Sequence, residues 1–330
     1  MQPFDFTRAS SPEQAIQAQA ATLAANTRFL AGGTNLIDMM KLEVERPTTL
    51  VDINGLDLSA IKPTPNGGLY LGALSRNSDV AQHPTVLRDY AVLSQALLSG
   101  ASPQLRNMAT TAGNLLQRTR CVYFRDTAFA CNKRDPGTGC SAIEGFNRGL
   151  AILGASKDCI ATNPSDQNVA LTALEATIHI QGKSGTREVP IQNFYVLPGT
   201  TPHIETVLQP GDLITGVTLP APRPGVRSVY LKLRDRAAYE FALASTAVQL
   251  GTEGKRITFA RIALGGVGTK PWRSLEAEHE LEGHPADLAT FRRAASAALH
   301  DAHPQTENAF KVDLAQRCIV RALTMATKSA

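Results

Sequence analysis

Short apolar runs alternate with helical spacings through the first half of the chain. Ser11-Pro12-Glu13 opens a helix: a capping hydroxyl, a proline at the first helical position, then an acid in the first turn. The Ala-rich segment 12–25 continues that helix. A strand at Arg28–Ala31, a turn at Gly32 and Gly33, a helix from Thr34 and a strand at Thr49–Asp52 follow. Residues 69–73 read as a strand, 85–98 as a helix and Ala109–Leu115 as a short strand. Ser165–Ala176 is a capped helix, and Thr177–Gln181 and Leu213–Leu219 are strands. Beyond residue 224 come strands at Val229–Leu233, Phe241–Leu250 and Ile257–Leu264, then helices at Ala286–His300 and Glu307–Thr327. That βββαα order predicts an α+β domain. Residues 116–160 have no usable period. A stretch that long without structure, inside a compact domain, is usually functional.

Composition narrows the class. The chain has 330 residues, enough for two or three domains with cores of their own. Hydrophobic residues make up 43% and charged residues 19%, which excludes collagen-like, coiled-coil and disordered chains. A net charge of +4, from 33 basic and 29 acidic residues, is too balanced to argue for nucleic acid. No apolar run approaches the roughly 18 residues that span a bilayer. The start, MQPFDFTRASSPEQ, has no basic region followed by an apolar run, so it does not read as a signal peptide.

Several catalytic signatures are missing. Gly182-Lys183-Ser184 ends like a phosphate loop, but Thr177 stands where its first glycine is required. Gly265-Gly266-Val267-Gly268 is not a dinucleotide fingerprint, because Pro271 occupies the third glycine position. There is no GxSxG elbow and no HExxH. The seven histidines show no metal spacing. Hydrolytic and nucleoside-triphosphate chemistry are therefore not expected.

The unusual feature is the cysteines. Of five, Cys121, Cys131, Cys140 and Cys159 fall in the segment without period, and Cys318 sits alone on an apolar helical face. Disulfides suit small secreted domains, and this chain needs no staples. Structural zinc usually takes CxxC knuckles, which are absent. An iron–sulfur cluster takes four thiolates at irregular spacing along a wrapping loop. Arg118, Arg120, Arg125, Lys133 and Arg134 outnumber Asp126 and Asp135 around the cysteines, and glycines 137, 139, 145 and 149 let backbone approach sulfur. Iron–sulfur, zinc and unconnected buried thiols all remain open on these residues alone.

Two further segments carry the resemblance. FLAGGTNL at 29–36 and RNMATTAGNL at 106–115 are small-residue turns with Thr and Asn beside a strand. Their backbone N–H groups suit a pyrophosphate without a lysine. Together the pair resembles the flavin-binding medium subunits of the molybdenum hydroxylases, the xanthine dehydrogenase family. TNPSD at 162–166, PGDLI at 210–214, the Lys232 and Arg234 strand and ALGGVGTKPWR at 263–273 extend the resemblance over the whole length. Ala109 and Ala112 stand where the family usually has glycine. Ordinary members pass almost directly from the second turn to the TNPSD segment, so residues 116–160 are an insertion. The β subunit of 4-hydroxybenzoyl-CoA reductase and the flavin subunit of bacterial periplasmic aldehyde oxidoreductase carry a comparable loop with a 4Fe–4S cluster. This loop looks more like the latter's.

The resemblance implies an α+β fold of the vanillyl-alcohol-oxidase type. Its FAD subdomains would be residues 1–60 and 61–224, followed by a three-stranded C-terminal α+β domain at 225–330. It implies FAD held by Arg28, Phe29, Leu30, Ala31, Gly32, Gly33, Thr34, Asn35 and Leu36, and by Ala101, Thr110, Gly113, Asn114 and Ile214. Asp166 would accept from a flavin or ribityl hydroxyl, Lys232 would stand near the ring system, and Tyr239 would shield its face. Cys121, Cys131, Cys140 and Cys159 would hold the 4Fe–4S cluster. The implied partners are a small subunit with two 2Fe–2S clusters, a large molybdenum-cofactor subunit where an aldehyde is oxidised, and an external electron acceptor. Export to the periplasm would rely on a partner's signal, with the cytoplasm as the other possibility. A hydroxybenzoyl-CoA reductase-like complex and a zinc-stapled assembly subunit without redox chemistry are the alternatives.

Overall fold

The computed structural model describes residues 1–21 and 26–327. Near the N-terminus, Asp5–Arg8, Thr49–Asp52 and Thr27–Leu30 form a parallel three-stranded sheet in that spatial order. The helices Pro12–Ala21 and Leu36–Lys41 connect its strands. Residues 22–25 of the expected first helix lie outside the described residues. The edge strand Asp5–Arg8 is exposed at every position, so it has no apolar periodicity to betray it. Ala15, Ile16, Val51, Ile53 and Leu74 pack beneath the sheet.

The second sheet has five antiparallel strands in the order Ile61–Pro63, Leu69–Gly72, Leu213–Leu219, Thr177–Gly182, Gly185–Pro190. Its helices pack around Leu93, Leu97, Val169, Ile178 and Val217. The single helix expected at 85–98 is two, Pro84–Asp89 and Ala91–Ser99. They break at Tyr90, which is buried and whose hydroxyl donates to the Pro220 carbonyl at 2.7 Å. The strand expected at Ala109–Leu115 is instead a short helix, Thr111–Leu115. Thr110 caps it by accepting from the Gly113 N–H at 3.1 Å, a local bond that the apolar pattern does not encode.

The C-terminal sheet runs Trp272–Arg273, Arg256–Gly265, Ala244–Glu253, Val226–Leu233, all antiparallel. It has four strands, not the three expected, because Leu264 pairs with the two-residue strand at Trp272. An extra helix, Leu275–Leu281, precedes Leu288–Ala298 and Phe310–Thr327. Helices Ala91–Ser99 and Asp166–Ala173 press on one side of this sheet and Phe310–Thr327 on the other. Burial on both faces explains why residues 244–248 are buried without alternation, and why the polar residues among them are the small Ser245 and Thr246. Tyr230, Ala247 and Ala263 join the core of the five-stranded sheet, so the two sheets share packing through those helices.

Residues 116–160 are ordered without regular structure beyond the short helix Val122–Arg125. Phe124, Leu150, Ile160 and Met39 form a small core there with the cysteines. Side chains replace the missing backbone ladder. The Arg134 guanidinium donates to the carbonyls of Tyr123, Phe124, Asp126 and Phe129. Buried Asn147 ties Ala142, Ile143 and Gly145 to Thr306. Lys311, fully buried, donates to the carbonyls of Gly149, Leu150 and Gly266 at 3.1, 2.8 and 2.5 Å.

Candidate cofactor site

The two glycine turns meet. Gly33 takes φ +72°, which lets the strand Thr27–Leu30 hand over to the helix at Leu36. At Gly32 a Cβ would fall 2.1 Å from the Met108 carbonyl oxygen, so only glycine allows this approach. Asn54 donates to the Ala31 carbonyl at 2.9 Å. Arg76 donates to Met108 O at 2.5 Å and to Asn54 Oδ1 at 3.3 Å. Asn54 and Arg76 thus clamp the turns together. Sequence reading missed both, because neither lies in a turn motif.

A cavity of about 760 Å³ opens beside the turns, with Thr34, Asn35, Ala101, Gly113, Asn114, Asp166, Lys232 and Tyr239 on its wall. A second, of about 330 Å³, is lined by Arg28, Phe29, Ala31, Gly32, Gly33, Leu36, Thr110 and Ile214, and it shares Thr34, Asn35 and Gly113 with the first. Leu30 borders neither; its side chain lies under Gly33. The adjoining cavities are walled by the two turns and their closely apposed glycines. They fit a dinucleotide flavin. Asn35 Oδ1 is buried there with no partner among the described residues. Ala101 takes φ +52°, a conformation that costs an alanine about 1 kcal/mol or more. Arg106 holds that turn by donating to the Gly100 carbonyl at 2.7 Å.

Several predicted side chains are already engaged. The Arg28 guanidinium lies 3.1 Å from Glu45. Asn114 Oδ1 accepts from Ser165 Oγ at 2.7 Å and from Gln117 at 2.5 Å. Asp166 opens its helix behind the Ser165 cap. Its two oxygens accept from Lys232 Nζ at 2.7 Å and from the Tyr230 hydroxyl at 2.5 Å. Lys232 is therefore a paired cation on the cavity wall, and Asp166 its counter-ion. Burial and the neighbouring Asp166 push the Tyr230 phenol well above its usual range, so it stays a proton donor. Tyr239 is mostly exposed, at φ +55°, on the rim.

The four cysteines of the loop come together. Cys121, Cys131 and Cys159 are buried in one small core, Cys140 packs against it, and all four are free thiols. The backbones of Cys131 and Cys140 pair directly. Burial pushes the Cys121 and Cys159 thiols up to about 11, and neighbouring cysteines add to the rise in both. Among the described residues, no group of three or more His, Cys, Asp or Glu side chains is drawn together as a site for a metal ion. By its chemistry, four free thiols on one wrapping loop, the donor set is of the kind an iron–sulfur cluster takes. Cys318 lies elsewhere, fully buried against the C-terminal sheet. A cavity of about 290 Å³ has Cys121 and Asp166 on its wall, and so joins the cysteine core to the flavin cavity.

An ion network braces the loop. Glu45 pairs with Arg28 and Arg118, and Glu205 with Arg118 and Lys133. Burial alone would raise the Glu205 carboxyl; Arg118 and Lys133 overcome it and hold the group below its ordinary value.

Comparison with known proteins matches this architecture. Residues 2–222 match the FAD binding domain in molybdopterin dehydrogenase, and residues 229–326 the CO dehydrogenase flavoprotein C-terminal domain. The chain is 51% identical to the aldehyde oxidoreductase FAD-binding subunit PaoB of Escherichia coli, over all of both chains. It is 30% identical to the glyceraldehyde dehydrogenase medium chain of Sulfolobus acidocaldarius, covering 98% of this chain and 96% of that one. Carbon monoxide dehydrogenase from Hydrogenophaga pseudoflava superimposes with a TM-score of 0.77 at 25% identity, over 98% and 97% of the chains. The chain belongs to the FAD-binding medium subunits of the molybdopterin-dependent xanthine dehydrogenase family, and is an oxidoreductase subunit.

Proposed function

We propose that this chain is the FAD- and 4Fe–4S-binding electron-transfer subunit of a heterotrimeric, molybdenum-containing aldehyde oxidoreductase. Identity of 51% over the full length to an aldehyde oxidoreductase subunit supports the substrate class. A small subunit with two 2Fe–2S clusters and a large molybdenum-cofactor subunit complete the assembly. Aldehyde is oxidised to carboxylic acid in the large subunit. Bound FAD supplies the capacity to take up electron pairs and release them to an external acceptor. This chain's residues bind and orient it: the turns at Gly32–Asn35 and Thr110–Asn114 offer backbone N–H groups, and the Asp166–Lys232 pair sets the charge of the inner wall. The assembly folds first and crosses to the periplasm on a partner's signal.

The observation that carries the cluster reading is the convergence of four cysteines, 38 residues apart in sequence from first to last, on one buried core beside the flavin cavity. The test is cofactor analysis of the chain purified with its co-expressed partners. Bound FAD, with iron and acid-labile sulfide in excess of two 2Fe–2S clusters, is the expected result. Zinc in place of that excess iron sinks the cluster reading. Cell fractionation with activity towards aromatic and aliphatic aldehydes tests location and substrate class.

A further inference from the structure

The insertion does more than gather thiols. It brings Arg120 and Arg125 into the wall of the 760 Å³ cavity, alongside Asp38, Asp166, Lys232 and Tyr239. Arg120 Nη1 lies 3.2 Å and Arg125 Nη2 lies 2.7 Å from the same oxygen, Asp38 Oδ2. Two guanidinium groups therefore share one carboxylate, and the trio carries one surplus positive charge. Both side chains are largely withdrawn from water, with exposures of 25% and 23%. Arg120 Nε and Arg125 Nη1 are buried with no hydrogen-bond partner among the described residues. Arg120 also stacks over the Phe241 ring, 5.0 Å from its centroid, on the rim that Tyr239 shares. Two other cations on this wall are paired with carboxylates, Lys232 with Asp166 and Arg236 with Glu240. Arg106, which donates to the Gly100 carbonyl, and Asp126, which accepts from the Ala128 N–H, carry opposite charges without an ion-pair partner among the described residues and offset one another, leaving the surplus on the trio.

Like-charged groups held this close, in a poorly hydrated wall, cost free energy unless an anion answers them. We propose that the Arg120–Arg125–Asp38 trio is an electrostatic positioning device for reduced flavin. Uptake of two electrons and one proton by the neutral oxidised ring system leaves one negative charge on it. The surplus charge of the trio stabilises that product relative to the oxidised form. The inference rests on FAD occupying this cavity. It gives the cysteine loop a role towards the flavin that does not pass through the cluster.

The test is the flavin midpoint potential at pH 7 in the intact heterotrimer, measured by spectroelectrochemical titration without added acceptor. Arg125→Gln removes the surplus charge and lowers the reduction equilibrium about tenfold, or about 30 mV for a two-electron couple. Asp38→Asn adds a charge and shifts it by a similar amount the other way. FAD, iron and sulfide contents are measured on each variant. Opposite shifts with unchanged cofactor content support the proposal, because loosening of the loop moves both variants in one direction. Unchanged potentials, or shifts of the same sign, overturn it. If Arg125→Gln fails to assemble, the sign of the Asp38→Asn shift decides. A wild-type complex without FAD would instead overturn the placement of flavin in the cavity.

Discussion

Lys232 Nζ lies 2.7 Å from Asp166 Oδ2, and the two side chains are only 3% and 10% exposed. The lysine comes from the C-terminal sheet and the aspartate from the first turn of a helix in the FAD-binding part. The pair therefore ties the C-terminal sheet to that helix at the cavity wall. Tyr230, two residues earlier on the same strand face, donates to the other Asp166 oxygen.

Removing one member strands a buried charge. Asp166→Ala is expected to cost about 3–5 kcal/mol, while Asp166→Ala combined with Lys232→Met recovers part of it. Thermal unfolding of the assembled complex measures the cycle. Two independent, additive effects would contradict a coupled pair.

Gly32 is the point where the flavin turns touch. Gly32→Ala places a methyl against the Met108 carbonyl, and the strain of about 1–3 kcal/mol should weaken FAD retention by roughly tenfold or more. Gly55→Ala is the control, since nothing lies within 4 Å of its added Cβ. FAD release followed by fluorescence distinguishes them. Equal retention by both variants would mean the apposition is not needed.

Cys131→Ser should abolish the 4Fe–4S signal and lower expression, because a serine oxygen is a poor replacement for a thiolate on iron. Electron paramagnetic resonance and iron analysis report it. A variant with full iron and sulfide would remove Cys131 from the ligand set.

Lys311 anchors the end of the cysteine loop to the C-terminal domain through three carbonyls. Lys311→Met leaves those carbonyls unpaired and is expected to destabilise by about 3 kcal/mol. Burial pushes the Lys311 amine down to about 7. The unfolded chain, with an ordinary lysine, binds more protons between pH 7 and its usual value, so the fold gains stability as pH rises through that window. The difference between wild type and Lys311→Met should widen from pH 7 to pH 9. A constant difference in denaturant titrations would show that the amine stays charged throughout.

Much of this was legible in the residues. The glycine turns, the Ser165 cap and the three later strands each follow from local chemistry: a backbone conformation, a side-chain hydrogen bond, an apolar run. The grouping of four cysteines in a segment without period also marked the insertion. What local pattern could not supply were the short strand at Trp272 and the helix at Thr111, set by one partner strand and one hydroxyl. Nor could it supply Asn54 and Arg76, which act only because the fold brings two distant turns together.

By itself, then, the sequence determined most of the longer strands and helices, that flavin-type turns are present, and that residues 121–159 carry the candidate metal thiols. Only the tertiary structure decided which charges are spent and which are left over. Lys232 is neutralised by Asp166, whereas Arg120 and Arg125 divide one carboxylate between them. The physical reason is range: turns, caps and strands depend on neighbours a few residues away. Charge balance in a cavity wall depends on groups such as Asp38 and Arg125, 87 residues apart, which only packing brings within bonding distance.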